Sequence, residues 1–157
     1  REGMLKTLSE PNTGMAVTID IGEMNDIHPK NKQDVGDRLA AWALADVYDR
    51  PGAAMGPIMS NTTFSGDRVI VEWAHATGLN ADGKPVVGFA VAGEDRVFHW
   101  AEARLDGVKV VVSSTQVNKP VAVRYAWAQN PSYSLRNGAG IPASPFRSDD
   151  WDESQNQ

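Results

Sequence analysis

The sequence lacks cysteine altogether, and it has neither a long apolar run nor an excess of basic residues. With no Cys among its 157 residues, it has no disulfide framework, no thiolate metal ligand and no Cys nucleophile. No apolar run reaches the roughly 18–20 residues that span a bilayer. Its 15 basic and 20 acidic residues give a formal net charge of −5, whereas nucleic-acid-binding domains are normally basic. We therefore expect neither a membrane nor a nucleic acid as partner.

The remaining composition, with 41% hydrophobic and 22% charged residues, is that of a folded globular protein. The length allows one full domain or two incomplete ones. The chain begins Arg1-Glu2-Gly3 without a signal peptide, and the stretch from Met4 to Leu8 is typical of the end of a helix. We therefore expect a fragment or a processed chain.

Residues 1–50 have the pattern of an α/β domain. The run Met15–Ile19 is short and apolar, as in a buried strand of a parallel sheet. A polar loop follows, and Asn31 is the expected N-cap of a helix that ends at Pro51-Gly52. Apolar residues recur on one face of this helix: Val35, Leu39, Trp42, Ala43 and Val47. We expect this strand and helix to be the C-terminal part of an α/β domain, whose apolar surfaces need neighbouring polypeptide.

The rest of the chain divides by composition. Residues 51–64 are rich in Pro and Gly, which predicts a linker. Residues 65–147 contain short alternating strands separated by turn signals such as Asp82-Gly83, which predicts a β-sandwich-like domain. Residues 148–157 are polar and acidic, which predicts a frayed tail. The predicted fold class is therefore α/β followed by all-β.

One short segment, Asn25-Asp26-Ile27-His28-Pro29, concentrates reactive side chains on the loop between the predicted strand and helix. Ligands of open α/β sheets bind at the carboxyl ends of strands, where this loop lies. A His near a carboxylate can take the proton of a nucleophilic serine and return it to the leaving group. In the alternative interpretation, Asp26 only accepts hydrogen bonds from backbone amides. Spacing alone leaves both interpretations open.

The other candidate groups have weaker sequence contexts. His75 follows a predicted strand and His99 lies inside one, as ordinary strand or edge residues do. The three dispersed His do not have the spacing of a metal site, and no Gly-rich phosphate loop is present. The context of a nucleophile elbow is missing around Ser60, Ser65, Ser113 and Ser114. We expect no metal ion and no organic cofactor.

Longer stretches resemble one family, and they do so in chain order. Met15–Asp20 with Asn25–Tyr48 resembles the end of the catalytic domain of the sialate O-acetylesterases, which are serine esterases of the SGNH-hydrolase type. Lys119–Pro131 and Gly140–Trp151 resemble the C-terminal β region of that family. The resemblance implies the end of an SGNH-type α/β/α catalytic domain followed by a C-terminal β-sandwich-like domain.

The resemblance also implies roles for individual residues. The histidine of the family's DIHP motif is the general base, which is His28 here, and the aspartate of that motif is Asp26. Many SGNH hydrolases carry the aspartate three residues before the histidine, at the position of Asn25, and some relatives orient the histidine with a backbone carbonyl. The resemblance therefore leaves the group that orients His28 open.

The family's nucleophilic serine lies in a GQSN-like motif that this sequence lacks. We therefore expect the nucleophile on an N-terminal part of the same enzyme, either a separate chain or a missing upstream segment. The implied substrate is an O-acetylated sugar, with sialic acid as the usual acetyl carrier. The implied location is extracytoplasmic: secreted, periplasmic or lysosomal.

Two further functions are compatible with the sequence. Trp73, Trp100 and Trp127 can form the stacking platform of a carbohydrate-binding module. Alternatively, the predicted β domain only covers the catalytic domain, which its alternating aromatic residues favour because core residues alternate in this way. Binding of residues 57–147 to a glycan array distinguishes these two functions.

Overall fold

A computed structural model describes residues 2–152 and places two helices ahead of eight strands. The helices are α1 (Glu2–Thr7) and α2 (Gln33–Asp46). The strands are β1 (Ile58–Ser65), β2 (Arg68–Ala74), β3 (Phe89–Ala92), β4 (Phe98–Trp100), β5 (Glu102–Asp106), β6 (Lys109–Ser113), β7 (Ala122–Tyr125) and β8 (Phe146–Arg147).

The strands form two four-stranded sheets with the orders β1-β2-β6-β5 and β4-β3-β7-β8, and every pair is antiparallel. In β2, Val69, Val71 and Trp73 are buried, while the residues between them are more exposed, because successive side chains point to opposite faces of a strand. This alternation predicted a β-rich second part of the chain, and the structure confirms it.

The two sheets share one hydrophobic core. Trp73 of one sheet packs edge-on against Tyr125 and Phe146 of the other, with ring centroids 5.7 and 5.5 Å apart. The buried Tyr125 hydroxyl accepts hydrogen bonds from the backbone N–H groups of Ser134 and Leu135 at 3.2 and 3.1 Å. The core therefore also fixes residues 133–135, which connect β7 to β8.

Two boundaries differ from those expected from composition. β1 begins at Ile58, inside the range 51–64 that predicted a linker, and it is an edge strand whose mostly exposed residues give no clear alternation. The predicted tail begins as ordered structure, because the Asp149 side chain is 1% exposed and pairs with Arg124 at 2.7 Å. Residues 153–157 of that tail lie outside the described residues.

The segment Met15–Ile19 is not a strand, which corrects the expectation of a buried parallel strand. Val17 is buried, but among residues 2–57 no strand pairs with this segment, and a strand needs such a partner for its backbone hydrogen bonds. The α/β/α layers are therefore not part of what the structure describes. The predicted helix is present as α2, and Asn31 accepts a hydrogen bond from the Asp34 backbone N–H at 3.1 Å, although Lys32 is the N-cap residue.

Candidate active site

The loop that carries His28 is held at both ends by an ion pair between α2 and the preceding segment. The Arg38 guanidinium donates hydrogen bonds of 2.7 and 2.6 Å to the two carboxylate oxygens of Asp20, and it also donates to the Val17 carbonyl. The Arg38 and Asp20 side chains are only 12% and 14% exposed. Hydrogen bonding to Asp20 raises the pKa of Arg38, which therefore stays charged in this partly buried position.

Two acidic side chains bind backbone amides within the loop. Asp26 Oδ1 accepts a hydrogen bond from the His28 backbone N–H at 2.8 Å, and Glu23 Oε1 accepts one from the Lys30 N–H at 2.9 Å. Short polar side chains commonly stabilise turns in this way. Asp26 thus accepts a hydrogen bond from a backbone amide, as in the alternative interpretation of the sequence. Its action on the imidazole ring stays a prediction.

His28 lies on the surface, and residues 22–27 of the same loop are also exposed. Ile27 is 89% exposed and Met24 is 78% exposed, which are high values for apolar side chains. Among residues 2–152, none forms a hydrogen bond with the His28 imidazole. The ring is therefore accessible to an acid, a base or a substrate that approaches from outside the described chain.

A cavity of about 570 Å³, which we call the loop cavity, opens beside this loop. One wall is formed by the segment from Met15 to Ile19 together with Glu23 and Met24. The opposite wall belongs to the β-rich part, from Gln129 to Pro131 and at Ser144 and Pro145. The start of the His28 loop therefore faces the sheets across a space large enough for a small ligand.

A second depression of about 410 Å³, which we call the Trp100 groove, lies on the β4-β3-β7 face. Trp100 is 74% exposed at one side, and the half-buried Trp127 and Arg124 also line it. Trp73 is 8% exposed in the core, so it does not join Trp100 and Trp127 in one platform, as the carbohydrate-binding alternative required. The side on which each Trp lies depends on the strand register, which composition does not reveal.

The described residues do not complete a catalytic triad. No serine of residues 2–152 is hydrogen-bonded to His28, and the other histidines lie in the β-rich part, His75 after β2 and His99 within β4. In the same range, no group of three or more His, Asp or Glu side chains is placed to hold a metal ion. No helix of that range is long and apolar enough to cross a membrane. The site therefore offers one accessible base and a cavity, without a nucleophile.

Sequence reasoning did not single out Arg38. A charged residue in an amphipathic helix is normally solvated, and its pairing with Asp20 across 18 positions has no local sequence signal. The sequence indicated two aromatic residues of the Trp100 groove, Trp100 and Trp127. It did not indicate that both line one depression.

Comparison with solved structures relates the chain to a carbohydrate esterase. The chain superimposes on a carbohydrate acetylesterase from Xanthomonas citri with a TM-score of 0.92 and 43% sequence identity, over 96% of this chain and 35% of that chain. This chain therefore spans about a third of the length of that enzyme. Comparisons with models of protein families and with curated proteins found no match. At 43% identity, the fold described here is similar to that of a stretch of this carbohydrate acetylesterase.

Proposed function

We propose that this chain is the C-terminal part of a serine esterase that removes O-acetyl groups from carbohydrates, with His28 as its general base. The observation that carries the proposal is the 43% identity with a carbohydrate acetylesterase over 96% of this chain. The accessible imidazole of His28 supports it, because a general base must be able to reach the reacting groups. The loop that carries His28 starts beside the loop cavity, which Glu23 and Met24 line.

In the proposed reaction, a serine outside this sequence attacks the acetyl carbonyl while the His28 imidazole accepts the serine proton. The sugar–oxygen bond to the acetyl carbon then breaks, and the imidazolium returns the proton to the sugar oxygen as it leaves. The acetyl group stays on the serine. Water attacks the acetyl carbon of this acyl-enzyme while His28 takes a proton from the water. The bond from the acetyl carbon to the serine oxygen then breaks, the imidazolium returns the proton to that oxygen, and acetate leaves. No metal ion or organic cofactor enters this sequence of steps.

Asp26 acts in this proposal as a positioning residue. Its carboxylate accepts the hydrogen bond from the His28 backbone N–H at 2.8 Å, so it restrains the part of the loop from which the imidazole projects. Arg38 and Asp20 contribute at a greater distance, because their ion pair joins the two segments that the loop connects.

The partner that supplies the serine is the N-terminal part of the same enzyme. α2 leaves Leu39, Leu44, Val47 and Tyr48 between 48% and 66% exposed, and this much apolar surface on one helix and its end favours a further protein contact. Met15–Ile19 would gain backbone hydrogen bonds from a neighbouring strand of that part. The finer assignment, a sialate O-acetylesterase in an extracytoplasmic compartment, rests on the sequence resemblance of Met15–Asp20 with Asn25–Tyr48, of Lys119–Pro131 and of Gly140–Trp151.

The alternative function is a carbohydrate-binding or structural β module without catalysis of its own. The exposed Trp100 on the β4-β3-β7 face is the observation that favours binding. Activity separates the two functions.

The test measures acetate released by a protein that contains this chain together with its upstream part. The substrates are p-nitrophenyl acetate, O-acetylated N-acetylneuraminic acid and acetylated xylo-oligosaccharides. Release from an acetylated sugar supports the esterase, and preference for the sialic acid supports the finer assignment. If acetate is released from none of these substrates, the proposed function is contradicted.

A further inference from the structure

We propose that the Trp100 groove is a saccharide-binding subsite, which holds a sugar unit of the glycan at some distance from the acetyl ester in the active site. The inference rests on the proposed function for the identity of the ligand. It adds a second binding region, on the β-rich part of the chain, to that function.

The floor of the groove is built from residues that are neighbours across three strands. Ala90 of β3 lies opposite Trp100 of β4 and opposite Arg124 of β7 in the strand register. These three side chains therefore point to the same face of the sheet. Strands two positions apart are separated by about 10 Å, and the small Ala90 leaves a trough beside the indole. Phe98, with the Arg124 guanidinium 4.1 Å above its ring, lines the same groove.

The surface chemistry of the trough matches that of a sugar ring. The Trp100 indole is 74% exposed, and an indole offers an apolar face on which the C–H face of a pyranose can stack. Asn130 and Ser132 lie along the same groove and provide polar groups for sugar hydroxyls. A polyanion fits less well, because the chain carries a net charge of −5 and Asp149 already binds the Arg124 guanidinium.

At the edge of the groove, Gly88 and Ala126 have positive φ angles, and Gly88 lies close to the backbone of Ser132. Gly88 has a φ of 98°, and a Cβ at this position would lie 2.5 Å from the Ser132 carbonyl oxygen. Ala126 has a φ of 48°, an unfavourable value for a residue with a Cβ, and it donates its N–H to the Gly88 carbonyl at 2.8 Å. This turn at the end of β7 precedes Trp127 and fixes the point from which its indole reaches the groove.

The position of the groove identifies the occupant as part of the same substrate. Asn130 and Pro131 line both the Trp100 groove and the loop cavity, so the two depressions adjoin along this wall. An oligosaccharide that places an acetylated unit near the His28 loop can therefore extend along the β-rich part to Trp100. A single small ester cannot occupy both regions.

The test compares long and short substrates in the protein that contains this chain and its upstream part. The variants are Trp100→Ala, which removes the stacking surface, and Ala90→Leu, which fills the trough while Trp100 stays in place. Phe64→Ala is the matched control, because Phe64 is a partly exposed aromatic residue on β1 of the other sheet. KM and kcat are measured with acetylated xylohexaose, O-acetylated sialyl-oligosaccharide and p-nitrophenyl acetate, and calorimetry measures binding of the unacetylated oligosaccharides.

Both groove variants are expected to raise KM for the better oligosaccharide by about tenfold, which corresponds to about 1.4 kcal/mol of binding free energy. The kinetics with p-nitrophenyl acetate, and every value for Phe64→Ala, are expected to stay unchanged. If the groove variants bind and hydrolyse the oligosaccharides like the parent, or if the parent binds none of them, the subsite does not exist. If the parent binds oligosaccharides through Trp100 but hydrolyses no ester, the proposed function fails while the subsite stands.

Discussion

Arg38 and Asp20 lie 18 positions apart in the sequence, and their side chains form a two-pronged ion pair with hydrogen bonds of 2.7 and 2.6 Å. This pair joins α2 to the end of the extended segment that precedes the His28 loop. Both side chains are largely buried, so the geometry of the pair is retained with little competition from water.

Arg38→Ala is expected to destabilise the protein by about 3 kcal/mol, because it leaves the Asp20 carboxylate largely buried without its cation. The measurement is the free energy of unfolding in urea. Arg50→Ala is the control, because Arg50 is exposed after α2 and forms no ion pair among residues 2–152. Equal unfolding free energies for Arg38→Ala and Arg50→Ala would show that the ion pair does not stabilise this region.

Asp26 is expected to act through the backbone of His28, and two substitutions separate this from an effect on the imidazole. Asp26→Asn keeps an oxygen that can accept the hydrogen bond from the His28 N–H, so most esterase activity is expected to remain. Asp26→Ala removes the acceptor, and a loss of about tenfold or more in kcat/KM is expected because the loop is no longer held. If Asp26→Asn is as inactive as Asp26→Ala, the charge of Asp26 acts on the imidazole itself.

Acid is expected to weaken the attachment of residues 148–150 to the sheet through Asp149. Burial disfavours the ionised Asp149 carboxylate, but hydrogen bonds and charge from Arg124, with a contribution from Arg147, outweigh it and hold the pKa of Asp149 below its usual range. A lowered native pKa means that this stabilisation is present above the unfolded-state pKa of about 3.9. It is lost as the pH falls through the lower native pKa.

The measurement for Asp149 is the unfolding free energy of the parent and of Asp149→Asn between pH 6 and pH 2. At pH 6 the variant is expected to be less stable by about 3 kcal/mol, because Arg124 is only 14% exposed and loses the charge that pairs with it. The difference is expected to shrink at the acid end. A difference that stays constant with pH contradicts an ionised role for Asp149.

The sequence correctly predicted strands whose own residues alternate between buried and exposed positions. It failed for segments whose structure depends on pairing with another part of the chain. In β2, one face of the strand is buried and the other is more exposed. Buried and less buried residues therefore alternate along the sequence, and this alternation predicts a strand. Met15–Ile19 has the composition of a strand, but a strand forms only beside another strand. β1, in contrast, is a strand whose residues are mostly polar. It forms because its backbone pairs with β2, and the pattern of side chains along the sequence does not predict that pairing.

The candidate site was predictable to a similar degree. The spacing of Asp26 and His28 indicated that they lie on one loop, and they do. Which part of His28 the carboxylate binds depends on the loop conformation, and sequence spacing does not specify it. In the same way, Trp73 and Trp100 are the same residue type on strands, yet one lies in the core and the other is 74% exposed.

The role of His28 as general base is decided by the turnover of p-nitrophenyl acetate by His28→Ala, in a protein that contains this chain and its upstream part. Because His28 is exposed on a loop, the fold is expected to be retained, and His75→Ala, which changes another exposed histidine, is the control. If His28 is the general base, kcat falls by about 10³-fold or more, while the control keeps the activity of the parent. Turnover by His28→Ala within a few-fold of the parent would contradict the assignment.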